Sequence, residues 1–195
     1  YTPESLKSFA LTVGISKREN VIDVSLLEFC VRTHLNEEAP RAMAVLDPLK
    51  ISIINYNENK EESVNFDINP QKPGQGKREI LFSKNIYIER EDFQENPEEG
   101  FFRLSPGEEV RLKNAYIIKA TNIIKNEKGK ITEVECEYDK KSKSGSNTEE
   151  SNRKVKATIH WVSAETAVEA TINIYDRLFK VPEPGKSQDL LSEVN

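Results

Sequence analysis

Apolar positions along the chain recur with two periods, and the period changes once. In residues 1–38 the spacing is helical. Thr2-Pro3 suits a helix start, since proline at the first helical position lacks only an N–H that has no partner there. Leu6, Phe9, Ala10 and Val13 then fall on one face, and Gly14 is placed to stop the helix. A second start is predicted at Ser25, whose hydroxyl stands at capping-box spacing from the Glu28 carboxylate. Leu27, Cys30, Val31, His34 and Leu35 form the apolar stripe of this helix, and Pro40 ends it.

From residue 43 the period drops to two, the spacing of strands. Over 131–138, Thr132, Val134, Cys136 and Tyr138 alternate with Glu133, Glu135 and Glu137. Over 155–161, Val155, Ala157, Ile159 and Trp161 alternate with Lys156, Thr158 and His160. A further run alternates Ala170, Ile172 and Ile174 with Thr171, Asn173 and Tyr175. Such runs predict antiparallel strands with one buried and one wet face. Glu127-Lys128-Gly129 reads as a hairpin turn, with Gly129 free to take a positive φ. Many short strands with polar turns predict a mainly β fold, an antiparallel β-barrel preceded by a short α-helical segment. The expected division is helical to residue 42, barrel over 43–181 and linker over 182–195. Residues 69–77 and 140–153 read as mobile loops; the second has no aliphatic or aromatic residue with which to pack.

Composition adds restraint. The net charge of −5 weighs against a nucleic-acid partner, because phosphate binding runs on Lys and Arg. Acidic residues gather at 58–62 and 89–99, however, while basic ones recur over 103–119, so a local patch can outvote the sum. Cys30 and Cys136 fall in a helix and a strand, which argues against a disulfide framework and for a reducing, cytoplasmic setting. No apolar run approaches a membrane span. The chain opens at Tyr1 without a basic-then-apolar leader, and is expected to be a piece of a longer polypeptide.

Catalytic constellations are scarce. His34 and His160 lack partner spacing for a metal, so structural roles are expected. Gly185-Lys186-Ser187 imitates the end of a phosphate loop, but Lys180 stands where that loop needs glycine. The pairs Glu61-Glu62 and Glu108-Glu109 read as solvated turns.

Several blocks remain that carry more information: APRAMAVLDP (39–48), EVRLKNAY (109–116), IHWVSA (159–164) and YDRLF (175–179). Together with Phe82–Phe93 and Phe102–Gly107, in unbroken order from about Leu26 to Val181, they resemble the glutaminyl-tRNA synthetase family. The resemblance runs from the end of that family's helical subdomain into its anticodon-binding β-barrels, whose fold relative is a ribosomal 5S RNA-binding protein. The archaeal and eukaryotic glutamyl-tRNA synthetases are the near alternative, and a non-enzyme RNA-binding barrel or a protein-interaction barrel the more distant ones.

The resemblance implies a tRNA anticodon-recognition module of a glutamine–tRNA ligase, a class I enzyme that charges tRNA-Gln with glutamine. ATP and Mg²⁺ would belong to the parent's nucleotide-binding domain; its His-x-Gly-His and Met-Ser-Lys type motifs are not in this sequence, and the fragment is expected to be non-catalytic and cofactor-free. Arg41, Arg103 and Arg111 occupy positions that meet the anticodon loop in the family. Guanidinium groups suit that task, since they pair bidentately with base edges and phosphates and stack on splayed bases. Lys113 shares a strand face with Arg111, and Phe101 and Phe102 offer stacking surfaces. The expected partner is tRNA-Gln, with no DNA, no membrane and a monomeric state.

Overall fold

A computed structural model describes residues 1–57, 60 and 62–181, which form two compact units. The expected linker over 182–195 lies outside the described residues. Of the described residues, the first unit gathers 1–40, 69–74 and 171–181, and the second gathers 41–57, 60, 62–68 and 75–170.

In the first unit, α1 (Pro3–Val13) starts as its sequence predicts, with the Thr2 hydroxyl accepting from the Ser5 N–H. It stops at Gly14, whose φ of 74° is the left-handed turn that glycine takes without strain. Helix α2 (Val24–Glu38) is capped differently from expectation. Asp23 is the N-cap, its carboxylate accepting from the Ser25 N–H at 2.8 Å, so the helix begins before the expected capping box. A short acidic side chain two residues ahead of a free N–H does the same work as the serine, and adds charge at the positive end of the dipole. The apolar faces are less buried than their periodicity suggests: Leu6, Leu11 and Phe29 are exposed, while Cys30 is covered. Asn69 is buried and donates to the Glu37 carbonyl at 2.7 Å, and Lys72 pairs with Glu38 at 2.5 Å, so part of the 69–77 loop is tied to this unit.

The second unit is a curled seven-stranded sheet with a hairpin packed into it. The strands are β1 (Pro48–Ile53), β2 (Glu62–Asp67), β3 (Lys77–Phe82), β4 (Asn85–Glu89), β5 (Glu109–Leu112), β6 (Ile117–Lys125), β7 (Ile131–Tyr138), β8 (Thr158–Ile159) and β9 (Val162–Ser163). Their order in the sheet is β8-β5-β6-β7-β1-β4-β9, with β2 and β3 forming the separate hairpin. The sheet is not wholly antiparallel as expected: β1 runs parallel to β7, and β5 to β8. Period-two alternation carries no information on strand direction, which is fixed by the long connections and not by the strands.

Curling follows from the topology. The two edge strands, β8 and β9, are consecutive in the chain and separated only by His160 and Trp161. Three residue steps span at most about 11 Å, or roughly two strand spacings, so the edges of the sheet must approach each other and enclose a core. Trp161, fully buried, sits at that junction and donates its indole N–H to the Lys113 carbonyl at 3.0 Å. Phe82 packs against it with ring centroids 5.2 Å apart, and Tyr56, Tyr116 and Tyr138 cluster on Phe82 and on one another, at 4.9–5.3 Å in the closest pairs. The alternation read over 131–138 places Val134 and Cys136 fully inside. The turn after β6 closes as expected on Gly129, with φ of 76°, while Asn126 Oδ1 accepts from the Lys128 and Lys130 N–H groups.

Two further expectations fail. The alternation over 170–174 forms no strand, and Ile174 and Tyr175 are exposed. Alternation makes a segment compatible with a strand, but among the described residues no edge pairs with it. The stretch 140–153 does pack, without an apolar residue. Ser142 is fully buried and bonds the Ile117 N–H through its hydroxyl, and Glu149–Asn152 form a helical turn, α3, capped by Thr148. Hydrogen bonds to backbone groups replace the missing apolar contacts.

Candidate nucleic-acid interface

Arg103 lies on a strap between β4 and β5. Leu104 is fully buried and anchors the strap, its N–H donating to the Asp92 carbonyl at 3.0 Å and its carbonyl accepting from the Gln94 N–H at 3.1 Å. Burying Leu104 turns its neighbour outward, and the Arg103 side chain is 46% exposed. Its Nη1 bonds the carboxylate of Asp92, which is almost wholly buried, and lies 3.4 Å from Glu91. Burial raises the Asp92 carboxyl above the ordinary value, and the Arg103 charge beside it acts the other way. Phe102 is exposed beside Arg103, whereas Phe101 is half-buried. The strap ends in a Ser105–Glu108 turn in which Gly107 takes φ of 78° and Glu108 donates to the Ser105 carbonyl.

Arg111, on β5, is employed differently. Its Nη1 donates to the Ser142 carbonyl at 2.8 Å and the Ser144 hydroxyl at 3.3 Å; its Nη2 donates to the Ser151 carbonyl at 2.8 Å and the Arg153 carbonyl at 3.3 Å. One guanidinium thus joins both ends of the loop over 142–153, and burial lowers its pKa from the ordinary value. Lys113, just past β5, carries an exposed side chain; its backbone N–H bonds the Ile159 carbonyl. Arg41 stands half-exposed at the start of the second unit, its N–H bonded to the Ile68 carbonyl at 2.8 Å. Arg111 and Lys113 therefore share a strand end, and Phe101, Phe102 and Arg103 share the strap.

The same loop is fastened at a second point. Glu62 Oε1 accepts from the Tyr116 hydroxyl at 2.6 Å and from Lys143, and its Oε2 forms an ion pair with Lys60 at 2.5 Å. Burial alone would raise its carboxyl, but the three donors outweigh it and hold the pKa at about 2. Burial, then Glu62, pushes the Tyr56 hydroxyl up to about 12. The histidines have structural partners: His34 Nδ1 lies 2.9 Å from the Thr2 hydroxyl, and His160 Nε2 2.9 Å from the Ala44 carbonyl. Among the described residues, no group of three or more His, Cys, Asp or Glu side chains is arranged to hold a metal, and no helix is long and apolar enough to cross a membrane.

Residue-type reasoning did not single out Asp92, Glu91, Lys143 or Ser142. Asp92 sits in an acidic run that reads as solvated surface, and only the pairing of residues 92–94 with Leu104 brings it under Arg103.

A family model for the anticodon-binding domain of class I tRNA synthetases (E and Q) matches residues 39–139, and a second model of the same description matches 158–195. The glutamine–tRNA ligase of Aliivibrio fischeri is 47% identical over the whole chain, which covers 35% of that protein. The glutamine–tRNA ligase of Rhodopirellula baltica is 51% identical over 97% of the chain and 31% of its own length. That of Clostridium perfringens is 44% identical, again over the whole chain and 35% of the relative. The chain spans about a third of the length of the curated relatives it matches.

Proposed function

This chain belongs to the family of anticodon-binding domains of class I tRNA synthetases (E and Q), and from that premise we propose that it is the anticodon-recognition part of a glutamine–tRNA ligase. The glutaminyl branch is favoured over the glutamyl one because the relatives above are glutamine–tRNA ligases that align over nearly all of the chain. The whole protein would esterify glutamine to tRNA-Gln with ATP and Mg²⁺, using a domain outside this chain, as a cytoplasmic monomer. The work of the present residues is binding: residues 1–42 form the helical approach, and the barrel over 43–181 presents the contacts.

The observation that supports this most directly is Arg103. Its guanidinium is fixed at one nitrogen by Asp92 while the side chain stays nearly half exposed beside an exposed phenylalanine. Such a group can pair with an unstacked base while Phe102 offers a stacking face. Arg41 and Lys113 supply positive charge for the RNA backbone, Phe101 supports Phe102, and Arg111 acts on RNA through the loop it orders. The test is binding of the full-length protein to a tRNA-Gln transcript and to the same transcript with an altered anticodon, at about 50 and 200 mM salt. Tighter binding of the unaltered transcript at both salts is expected. Equal affinity for the two at both salts would refute the reading.

A further inference from the structure

We propose that Arg78, on the β2–β3 hairpin, binds a backbone phosphate of the RNA, a contact distinct from every residue assigned to RNA above. The proposal rests on the reading that this unit binds tRNA. Three features carry it.

The first is the way the guanidinium is held. Phe66 and Arg78 stand directly opposite each other in the antiparallel register of β2 and β3, so their side chains leave the hairpin on the same face. Phe66 is buried, and the Arg78 guanidinium carbon lies over its ring, 5.7 Å from the centroid. Trp161 backs that ring in turn, at 6.4 Å between centroids. An arginine seated on an aromatic face keeps its charge and its donors while its plane is held.

The second is what the guanidinium lacks. Among the described residues Arg78 makes no hydrogen bond and no ion pair, whereas Arg90, Arg103, Arg111 and Arg153 are each engaged by carbonyls or carboxylates. Its Nε is buried without an acceptor, and its two terminal nitrogens stay open to solvent. Nearby charges do not neutralise it: Lys77 and Glu79 flank it on β3 and Asp67 lies across from Lys77, and strand alternation puts all three on the other face of the hairpin. A half-buried guanidinium without an acceptor has given up water for nothing in return, and an anion restores what it lost.

The third is position. Along β2, the Asn65 carbonyl accepts from the Asn114 side chain at 3.0 Å, Phe66 carries Arg78, and the Ile68 carbonyl just beyond the strand accepts from the Arg41 N–H at 2.8 Å. Asn114 directly follows Lys113, whose side chain is exposed. Lys113, Arg78 and Arg41 are therefore attached in that order along about 10 Å of one strand, which suits a polyanion. A base is the poorer ligand for Arg78, because the ring that could stack it is already covered by the arginine itself.

The experiment uses full-length protein carrying Arg78→Met, which keeps an unbranched apolar cover on Phe66, or Arg78→Lys, which keeps the charge. Each is titrated with a tRNA-Gln transcript and with the same transcript bearing an altered anticodon, at about 50 and 200 mM salt. The unaltered protein should prefer the unaltered transcript; without that preference the reading of the whole surface fails, whatever Arg78 does. Arg78→Met should weaken both transcripts alike, and should shrink the affinity ratio between the two salts by about threefold, the share of one phosphate contact. Arg78→Lys should keep that ratio. A second measurement locates the contact, with transcripts carrying a single uncharged methylphosphonate linkage at each position of the anticodon stem-loop in turn. One such linkage should weaken the unaltered protein and Arg78→Lys, but cost Arg78→Met nothing further. If Arg78→Met leaves the salt dependence unchanged, the arginine only covers Phe66, and the proposal is overturned while the reading of the unit stands. If it weakens one transcript more than the other, Arg78 meets a base, and the proposal is equally overturned. Should Arg78→Met fail to fold, Arg78→Lys carries the test, since a loss of salt dependence there, with the charge retained, contradicts a phosphate contact.

Discussion

Arg111→Ala should destabilise the second unit by about 2–4 kcal/mol, because Arg111 fastens a loop that has no apolar contact of its own. The structure gives it two strong bonds, to the Ser142 and Ser151 carbonyls at 2.8 Å, and two weaker ones at 3.3 Å to Ser144 and Arg153. A hydrogen bond to a charged donor is worth about 1.5–3 kcal/mol, and leaving a buried acceptor unpaired costs about 1–3 kcal/mol. Water can reach part of this loop and replace some of what is lost, so the two short bonds set the total and the two long ones add little. For a chain of this size each kcal/mol moves the melting temperature by about 2–4 °C, so the expected fall is about 4–16 °C. Urea unfolding of this chain gives the free energy, and a thermal scan gives the shift. Arg111→Lys sharpens the experiment. A single ammonium keeps the charge but cannot bridge both ends of the loop, so it should lose most of the stability, whereas a simple phosphate contact would tolerate lysine. A loss below about 0.5 kcal/mol for Arg111→Ala, the range of ordinary surface changes, would show that the loop carbonyls rehydrate freely and that the clamp reasoning is wrong.

Three further outcomes can be checked. Glu62 has a folded-state pKa of about 2 against an ordinary 4.5, so its stabilisation is present above about pH 4.5 and lost as pH falls toward 2; the unfolding midpoint of Glu62→Gln should therefore depend less on pH across that window, and parallel curves for the two proteins would rule the knot out. Trp161→Ala empties the junction between the two sheet edges and should cost about 3–5 kcal/mol in urea unfolding, with a cost under 1 kcal/mol showing that the edges hold without it. Gly107→Ala should cost only about 1–2 kcal/mol, because φ is 78° but an added Cβ would meet nothing within 4 Å; a larger loss would reveal a packing role for the turn.

What the sequence shows clearly here is local. Thr2-Pro3 and Gly14 bound α1 because capping needs only neighbours, and the β6–β7 hairpin closes where Gly129 permits it. The sequence is silent where the outcome depends on distant partners. Thr171 to Tyr175 alternates as well as Ile131 to Tyr138 does, yet the second segment lies between β6 and β1 while the first forms no strand. A strand is a relation between two segments, and period two describes only one of them. The parallel pairings of β1 with β7 and β5 with β8 are hidden for the same reason.

The candidate site shows this most sharply in two arginines of identical chemistry. Arg103 and Arg111 both stand in basic stretches, both occupy positions that the family resemblance assigns to RNA, and nothing in their local sequence ranks one above the other. The fold separates them by what each guanidinium finds. Arg111 meets three backbone carbonyls and a serine hydroxyl presented by a loop some 31 to 42 residues later, and all four of its bonds point back into the protein. Arg103 meets one buried carboxylate 11 residues earlier and keeps an open edge. The polar loop over 140–153 offers little to hydrophobic packing, but its free carbonyls are what a guanidinium satisfies. The serine-rich composition that marks the loop as unpacked in the sequence is thus the reason it takes up the Arg111 guanidinium, while the Arg103 side chain stays nearly half exposed.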